Sequence, residues 1–413
     1  MRILFFFSLM LPVVNYSYGS VSYIVKMSAS SKSFSFFEKF GNVNILKTKK
    51  QTFLSIEVNE SLNKEQIKQI NDRQDVIYIE KSQRFYTQGT IKDPYFSKQW
   101  HLKNTGKNSG SFFKWGKIGE DIDAIKAWET ISSGQKIKIA VIDTGVDYDH
   151  PDLKNNIWVN IKEKNGTPGV DDDQNGFIDD IHGWDFSSND NDPQDGNGHG
   201  THCAGVIASD HNNIGIRGVM SNAQIVPIKF LGDNGGGTTE GAIQAIDYAI
   251  NIGVKIMSNS WAGGAFSQAL YDVIEEAKNN NIIFVAAAGN ARNDNDEWAT
   301  YPATYELENI ISVGATDGHG KKAKFSNYGK NTVDVFAPGV NIYSTYKNKS
   351  YKSLSGTSMA TPIVSGIAGL LLSEDETLSF QEVKNIILET SEKSRSINNY
   401  AVSGRVNAYL SIK

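Results

Sequence analysis

Residues 138–143, KIAVID, form a short apolar run rich in β-branched residues that ends on a carboxylate, Asp143, and runs straight into Thr144 and Gly145. A run of this length with no polar alternation suits a strand buried on both faces. Four more such runs follow, QIVPIKF, VKIMSNS, IIFVAAAG and IISVGA. Between them stand stretches with helical spacing: GTHCAGVIAS, TEGAIQAIDYAINI, AFSQALYDVIEEAKNN and the run that starts at Thr357. This alternation predicts an α/β fold, a doubly wound parallel sheet with helices on both faces. Ligands of such sheets bind beyond the carboxyl ends of the strands. Asp143 and Asn290 close two strand runs and His199 and Ser358 open two helical ones, so all four are expected on one rim.

Upstream, residues 23 to 80 read strand (YIVKM), helix (SFSFFEKF), two strands (VNILK, TFLSIEV), helix (NKEQIKQI) and strand (DVIYIE). That βαββαβ order predicts a small ferredoxin-like α+β unit. A polar stretch without periodicity, residues 81 to 92, reads as an exposed connector open to proteolysis. The first residues, MRILFFFSLMLPVVNYSYGS, put Arg2 before an apolar run from Ile3 to Val14 and then the small residues Ser17 and Gly19. This pattern predicts a signal peptide over 1–19 and hence a secreted or periplasmic product. The run is too short to span a bilayer stably, and no later stretch approaches that length.

The net charge of -5 offers nucleic acid or an anionic membrane nothing to bind. Charge is unevenly distributed, with 11 Lys+Arg against 7 Asp+Glu in residues 20 to 90 and 29 against 39 from residue 91 on. A basic front unit therefore precedes an acidic body. The single cysteine, Cys203, excludes an internal disulfide and reads as a small buried apolar side chain.

Taken singly, the polar residues on the rim are ambiguous. Asp-Thr-Gly at 143–145 also marks aspartic proteases, which need two such carboxylates, and this chain has one copy. His199 and His202 in GNGHGTHCAG invite a metal reading, but their spacing lacks the glutamate of a zinc helix. Ser358 in SGTSMATP suits a helix cap and Asn290 in AAAGN a turn. Together they supply the types that a nucleophile, a base, an orienting carboxylate and an oxyanion donor require.

AVIDTGVDYDHPDL, GNGHGTHCAGVIA, AAAGN and SGTSMATPIVSG, in that order, resemble the signature blocks of the subtilisin-like serine proteases. The resemblance implies a serine endopeptidase acting on polypeptides, with Ser358 as nucleophile, His199 as base, Asp143 as its orienting partner and the Asn290 amide as oxyanion donor. It also implies an extended substrate lying between Gly235, Gly236, Gly237 and Ser260, Trp261, Ala262, Gly263. Ala262 stands where the family usually has glycine, and Thr300 is expected at the floor of the primary pocket, so both would narrow it. The front unit is similar to the family's inhibitory propeptide, implying a zymogen divided as 1–19, 20–88 and 89–413, cut first near residues 86 to 88, whose mature form is a monomer. A catalytically silent relative serving as a binding protein is the alternative from another class.

Calcium is implied twice. In DDDQNGFIDD, the residues Asp171, Asp173, Asn175 and Asp180 surround Gly176 in the manner of an EF-hand loop that lacks its final glutamate. Separately, Asp93, Asp152 and Asn212 match family positions that hold a structural calcium, together with loop carbonyls at Asp210, Ile214 and Ile216.

Overall fold

The computed structural model describes residues 21–28, 34–48, 51–58, 61–82, 91–107, 115–131 and 134–413. The expected signal peptide and the expected cut near residues 86 to 88 lie outside them. The described residues divide into two compact units, with 21–82 in the first and 91–131 and 135–413 in the second.

The first unit has strands β1 (Val21–Met27), β2 (Asn42–Lys47), β3 (Thr52–Val58) and β4 (Val76–Lys81), with helix α1 (Lys64–Asn71) before β4. Its sheet runs in the order β2-β3-β1-β4 and is antiparallel throughout. Alternate residues Tyr23 and Val25 of β1 and Leu54, Ile56 and Val58 of β3 are buried, with Phe37 and Ile70 packed on them. Asn63 and Gln66 close a reciprocal capping box at the start of α1. Where SFSFFEKF predicted a helix, only a 3-10 turn forms, over Ser35–Lys39. Four phenylalanines in seven residues favour ring packing over helix propagation, and Phe36 meets Phe37 and Phe40 edge-on at 5.3 and 5.6 Å.

The second unit contains α2 (Ala124–Thr130), β5 (Lys138–Asp143), α3 (Ile161–Asn165), β6 (Trp184–Asp185), α4 (His199–Ala208), β7 (Gln224–Lys229), α5 (Thr239–Asn251), β8 (Ile256–Asn259), α6 (Gln268–Asn279), β9 (Ile283–Ala287), β10 (Ile310–Thr316) and β11 (Val335–Pro338). A hairpin, β12 (Ile342–Tyr346) and β13 (Ser350–Leu354), then leads to α7 (Thr357–Glu374), α8 (Phe380–Glu389) and α9 (Ala408–Ile412). The seven-stranded sheet has the order β11-β10-β9-β8-β5-β7-β6, and every pair in it is parallel.

The strand pleat sorts the core into two halves. On β5, Ile139 and Val141 face the helices α4 and α7, while Ala140 and Ile142 face α5 and α6; on β9, Val285 and Phe284 divide the same way. Helix α7 is apolar all round and almost wholly buried, as a helix threaded through a core must be. This layering sends the carboxyl ends of β5, β8 and β9 to the edge at which α4 and α7 begin.

Candidate active site and cation sites

Asp143 is the last residue of β5 and fully buried, and His199 is the first of α4. The imidazole Nδ1 lies 2.8 Å from Asp143 Oδ1, which also accepts the Thr144 amide at 2.7 Å. An ionised carboxylate only accepts, so Nδ1 carries the proton and Nε2 is left as the free nitrogen. The approach of α4 to the strand end is tight at Gly200, where a β-carbon would come within 2.1 Å of the Gly145 carbonyl. Burial opposes charge on His199, yet the Asp143 carboxylate and its hydrogen bond, helped by Asp195, outweigh it and hold the imidazole above its ordinary value. Asp143 thus partners an imidazole rather than a second carboxylate, against the aspartic reading.

Ser358 is the second residue of α7, and its helix carries Pro362 four positions on. Proline has no N–H to return to the Ser358 carbonyl. That carbonyl instead accepts the Ser260 hydroxyl at 2.9 Å and the Cys203 thiol at 3.4 Å, which ties α7 to β8 and α4. Asn290 follows β9, and its Oδ1 accepts the Thr357 amide and hydroxyl at 2.9 and 3.1 Å. With the oxygen so held, the amide nitrogen is the end left to donate into the cleft.

One cleft of about 760 Å³ is lined by His199, Ser358 and Asn290 together with Gly235, Gly236, Gly237, Ser260, Trp261, Ala262 and Gly263. Phe230, Leu231, Ala242 and Leu270 add apolar wall. Thr300, expected at the pocket floor, packs against Gly289 of the cleft wall, its methyl 3.1 Å from where a Gly289 β-carbon would stand. Its hydroxyl donates to Asn295 Oδ1 at 3.1 Å and accepts from the Asn327 amide at 3.2 Å. Gly289 has a φ of 109° and its missing β-carbon makes room for the Asn327 amide. Asn327 also bonds the amides of Ala291 and Asn293, fixing the Asn290 loop from a segment 37 residues downstream.

His202 and His101 are buried and stay neutral. His202 Nε2 faces the Ile342 and Lys352 carbonyls at 3.0 and 3.2 Å, and burial lowers it and His101 to about 3. Burial pushes the Cys203 thiol up, keeping it protonated.

Residues 134–406 match the subtilase family. Thermitase of Thermoactinomyces vulgaris is 39% identical over 325 residues, covering 78% of this chain and 99% of its own. The chain is a subtilase. It also matches subtilisin-like protease 1 of Plasmodium berghei (35% over 339 residues, 78% of this chain) and the thermophilic serine proteinase of Bacillus sp. strain AK1 (39% over 285 residues, 68% of this chain). It spans 54% and 63% of those two proteins. The crystal structure of a cold-adapted subtilisin-like serine proteinase matches at a TM-score of 0.56 and 29% identity, over 75% of this chain and 96% of that one. The subtilase is accordingly a serine endopeptidase with the α/β subtilisin-like fold.

Two acidic regions of the subtilase bear on cations. Asp93 and Asp152 are buried beside the 210–216 loop: Asp152 Oδ2 accepts the Ile216 amide at 2.9 Å and the Tyr351 hydroxyl at 3.0 Å, and Asp93 Oδ1 accepts the Asn213 amide at 3.1 Å. Asp152 Oδ1 is buried with no donor among the described residues, and burial, with Asp93 adding, pushes its carboxyl up to about 6. Asp210 donates its amide to the Asp152 carbonyl, Asn212 Oδ1 accepts the Ile214 amide, and Asp93 Oδ2 pairs with Arg217 at 2.6 Å. The unpartnered Asp152 oxygen is of the kind that suits a hard cation, while Arg217 already faces Asp93.

In the other region the ligand oxygens of Asp171 and Asp173 gather with Glu163, all within 4.8 Å of one another. Glu163 was not foreseen; it comes from α3, outside the loop motif. Asp180 instead stands behind them, fully buried, its oxygens bonded by Asn160 and Tyr248 and by the amide of Asn175. Among the described residues no helix is long and apolar enough to cross a membrane.

Proposed function

We propose that the enzyme cuts polypeptides with Ser358 as nucleophile, His199 as general base and then acid, Asp143 as the carboxylate that fixes the imidazole tautomer, and Asn290 as oxyanion donor beside the Ser358 amide. The observation that carries this is the 2.8 Å bond from His199 to Asp143 at the wall of a cleft shared with Ser358 and Asn290. In it Ser358 Oγ attacks the scissile carbonyl while Nε2 takes its proton; the imidazolium, faced by Asp143, later returns that proton to the leaving amine. The developing oxyanion meets the Asn290 amide, already turned by Thr357. Substrate lies extended along Gly235–Gly237 and Ser260–Gly263. Fluorophosphonate labelling with mass mapping tests this: the tag belongs on Ser358, and an unlabelled Ser358 in folded protein refutes the reading.

The enzyme is exported, made as a zymogen and stabilised by calcium. Asp93, Asp152 and Asn212, with carbonyls at Asp210, Ile214 and Ile216, would hold one ion; Glu163, Asp171, Asp173 and Asn175, backed by Asp180, would hold another. The ions tie loops together and take no part in the reaction. Residues 20–88 act as inhibitor and folding aid, and the mature enzyme is a monomer. Their basic charge against the acidic body supports association in trans, weakened as salt rises through about 0.15 M, where the Debye length is about 8 Å. Ser358→Ala, weighed after expression, should retain the front unit; trimming at the connector would exclude self-processing.

A further inference from the structure

The turn that leads into α4 carries an acid used by neither the triad nor the cation sites. Helix α4 begins from Gly198, at φ 108°, which has no side chain to cap its first amides. Asp195, buried at 5% exposure, supplies the missing acceptor from three residues upstream. Its Oδ2 takes the Thr201 amide at 2.9 Å, the bond an N-cap side chain ordinarily makes, and the Thr201 hydroxyl at 2.6 Å. Its Oδ1 takes the amides of Asn197 and Gly198 at 2.9 and 2.7 Å and the Thr144 hydroxyl at 3.0 Å. Thr144 adjoins Asp143, and its hydroxyl in turn accepts the Gly200 amide at 3.0 Å. One carboxylate therefore fastens the end of β5 to the first turn of α4.

We propose that Asp195 is a positioning residue for peptide hydrolysis, setting the His199 ring against Asp143 by capping α4 from outside the helix and tying it to Thr144. The proposal rests on His199 being the general base. The distance it controls, 2.8 Å between two elements 56 residues apart in sequence, is one that neither element can hold alone.

The charge on Asp195 adds a second consequence. The ionised groups that act on the imidazole are Asp143 and Asp195, while His202 and Cys203 beside it stay neutral. The cations nearby, Lys229 and Lys347, are engaged by the carbonyls of Thr144, Leu231 and Gly196 and by Asp233. Removing the Asp195 charge thus weakens the stabilisation of the imidazolium with no compensating change of charge nearby.

Asp195→Asn and Asp195→Ala, made in the full chain and assayed after processing, test this. Asp195→Ala should lower kcat about a hundredfold with KM little changed, since small misplacements of a catalytic group carry costs of that order. Asp195→Asn, which keeps an acceptor for the 197 and 198 amides, should lose less. It should also move the acid limb of kcat/KM to lower pH, a shift that a purely structural role would not produce. If Asp195→Ala fails to fold, Asp195→Asn carries the test. Reduced melting temperature with wild-type kcat and an unmoved acid limb would make Asp195 a structural strut and overturn the proposal, leaving the triad intact. Full activity in Ser358→Ala would overturn both.

Discussion

The cleft and the acidic loops use the same side chains to opposite ends. At the cleft, carboxylates face donors: Asp195 takes five of them, and Asp143 takes an imidazole and an amide on one oxygen. In the loops, carboxylates also face one another: Glu163, Asp171 and Asp173 converge while each accepts backbone amides, and Asp152, like Asp143 at the cleft, keeps a buried oxygen with no hydrogen-bond partner among the described residues. Hydrogen bonds from neutral donors fix a geometry through a reaction in which charge comes and goes. Converging carboxylates repel one another instead, and a cation bound among them would relieve that repulsion.

The largest expected effect falls on the cleft. Ser358→Ala should abolish peptide hydrolysis while leaving the loops and their cation response unchanged, as peptide turnover and melting curves in parallel would report. Asn290→Ala should follow, with turnover lower by about 10²- to 10³-fold, a magnitude carried over from another subtilase. Near-normal turnover in either variant would break the distinction on the catalytic side.

The loops answer to a different measurement. Chelation should lower the melting temperature and speed self-digestion, because a site saturated a hundredfold over its dissociation constant contributes about 2.7 kcal/mol. Asp152→Ala should remove much of that response if the Asp93–Asp152 site dominates. Glu163→Gln should do so if the α3 site does. A melting curve indifferent to EDTA and calcium would sink the calcium half of the comparison.

Titration sharpens it further. His199 is held above its ordinary value, so its protonation, which removes the base, begins at a higher pH than for a free histidine near 6.5. Activity should therefore fall on acidification with an acid limb above about 6.5. The stability term runs the other way: a raised value stabilises the fold below the unfolded histidine's pKa and is lost as pH rises through the folded one. An acid limb below the ordinary histidine value would show that burial, rather than Asp143 and Asp195, governs the ring.

Much of this was legible in the sequence because strand ends and helix starts are local signals. KIAVID and FVAAAGN mark where Asp143 ends and Asn290 follows a strand, and the glycine-flanked HGTH and GTSMATP runs mark where His199 and Ser358 open helices. What was not legible depends on contacts between distant segments. Asn327 buttresses the Asn290 loop from 37 positions away, and Glu163 joins Asp171 and Asp173 from a separate helix. The helix expected in SFSFFEKF became a 3-10 turn because tertiary packing of its rings overrode the pattern. Thr300 adjoins Gly289 of the cleft wall, and its hydroxyl is held by Asn295 and Asn327, partners that no local pattern shows.

Of the two residues expected to narrow the primary pocket, Ala262 lines the cleft itself and Thr300 backs its Gly289 wall. The cleft lining also holds several small residues, Gly263, Gly264, Ala287, Gly289 and Ala291, beside the larger Trp261 and Leu270. Ala262 adds a single methyl group to this lining, and its effect should be modest. A pocket feels one added carbon at about 1 to 3 kcal/mol, and an exposed rim position such as Ala262 belongs at the lower end. The native enzyme should prefer small or medium apolar residues to Trp before the cut bond. Ala262→Gly should raise kcat/KM for Phe and Trp relative to Ala and Leu there by about tenfold or less. A library profile already dominated by large aromatics, or one that Ala262→Gly leaves unchanged, would assign the width of the pocket to the glycine wall alone.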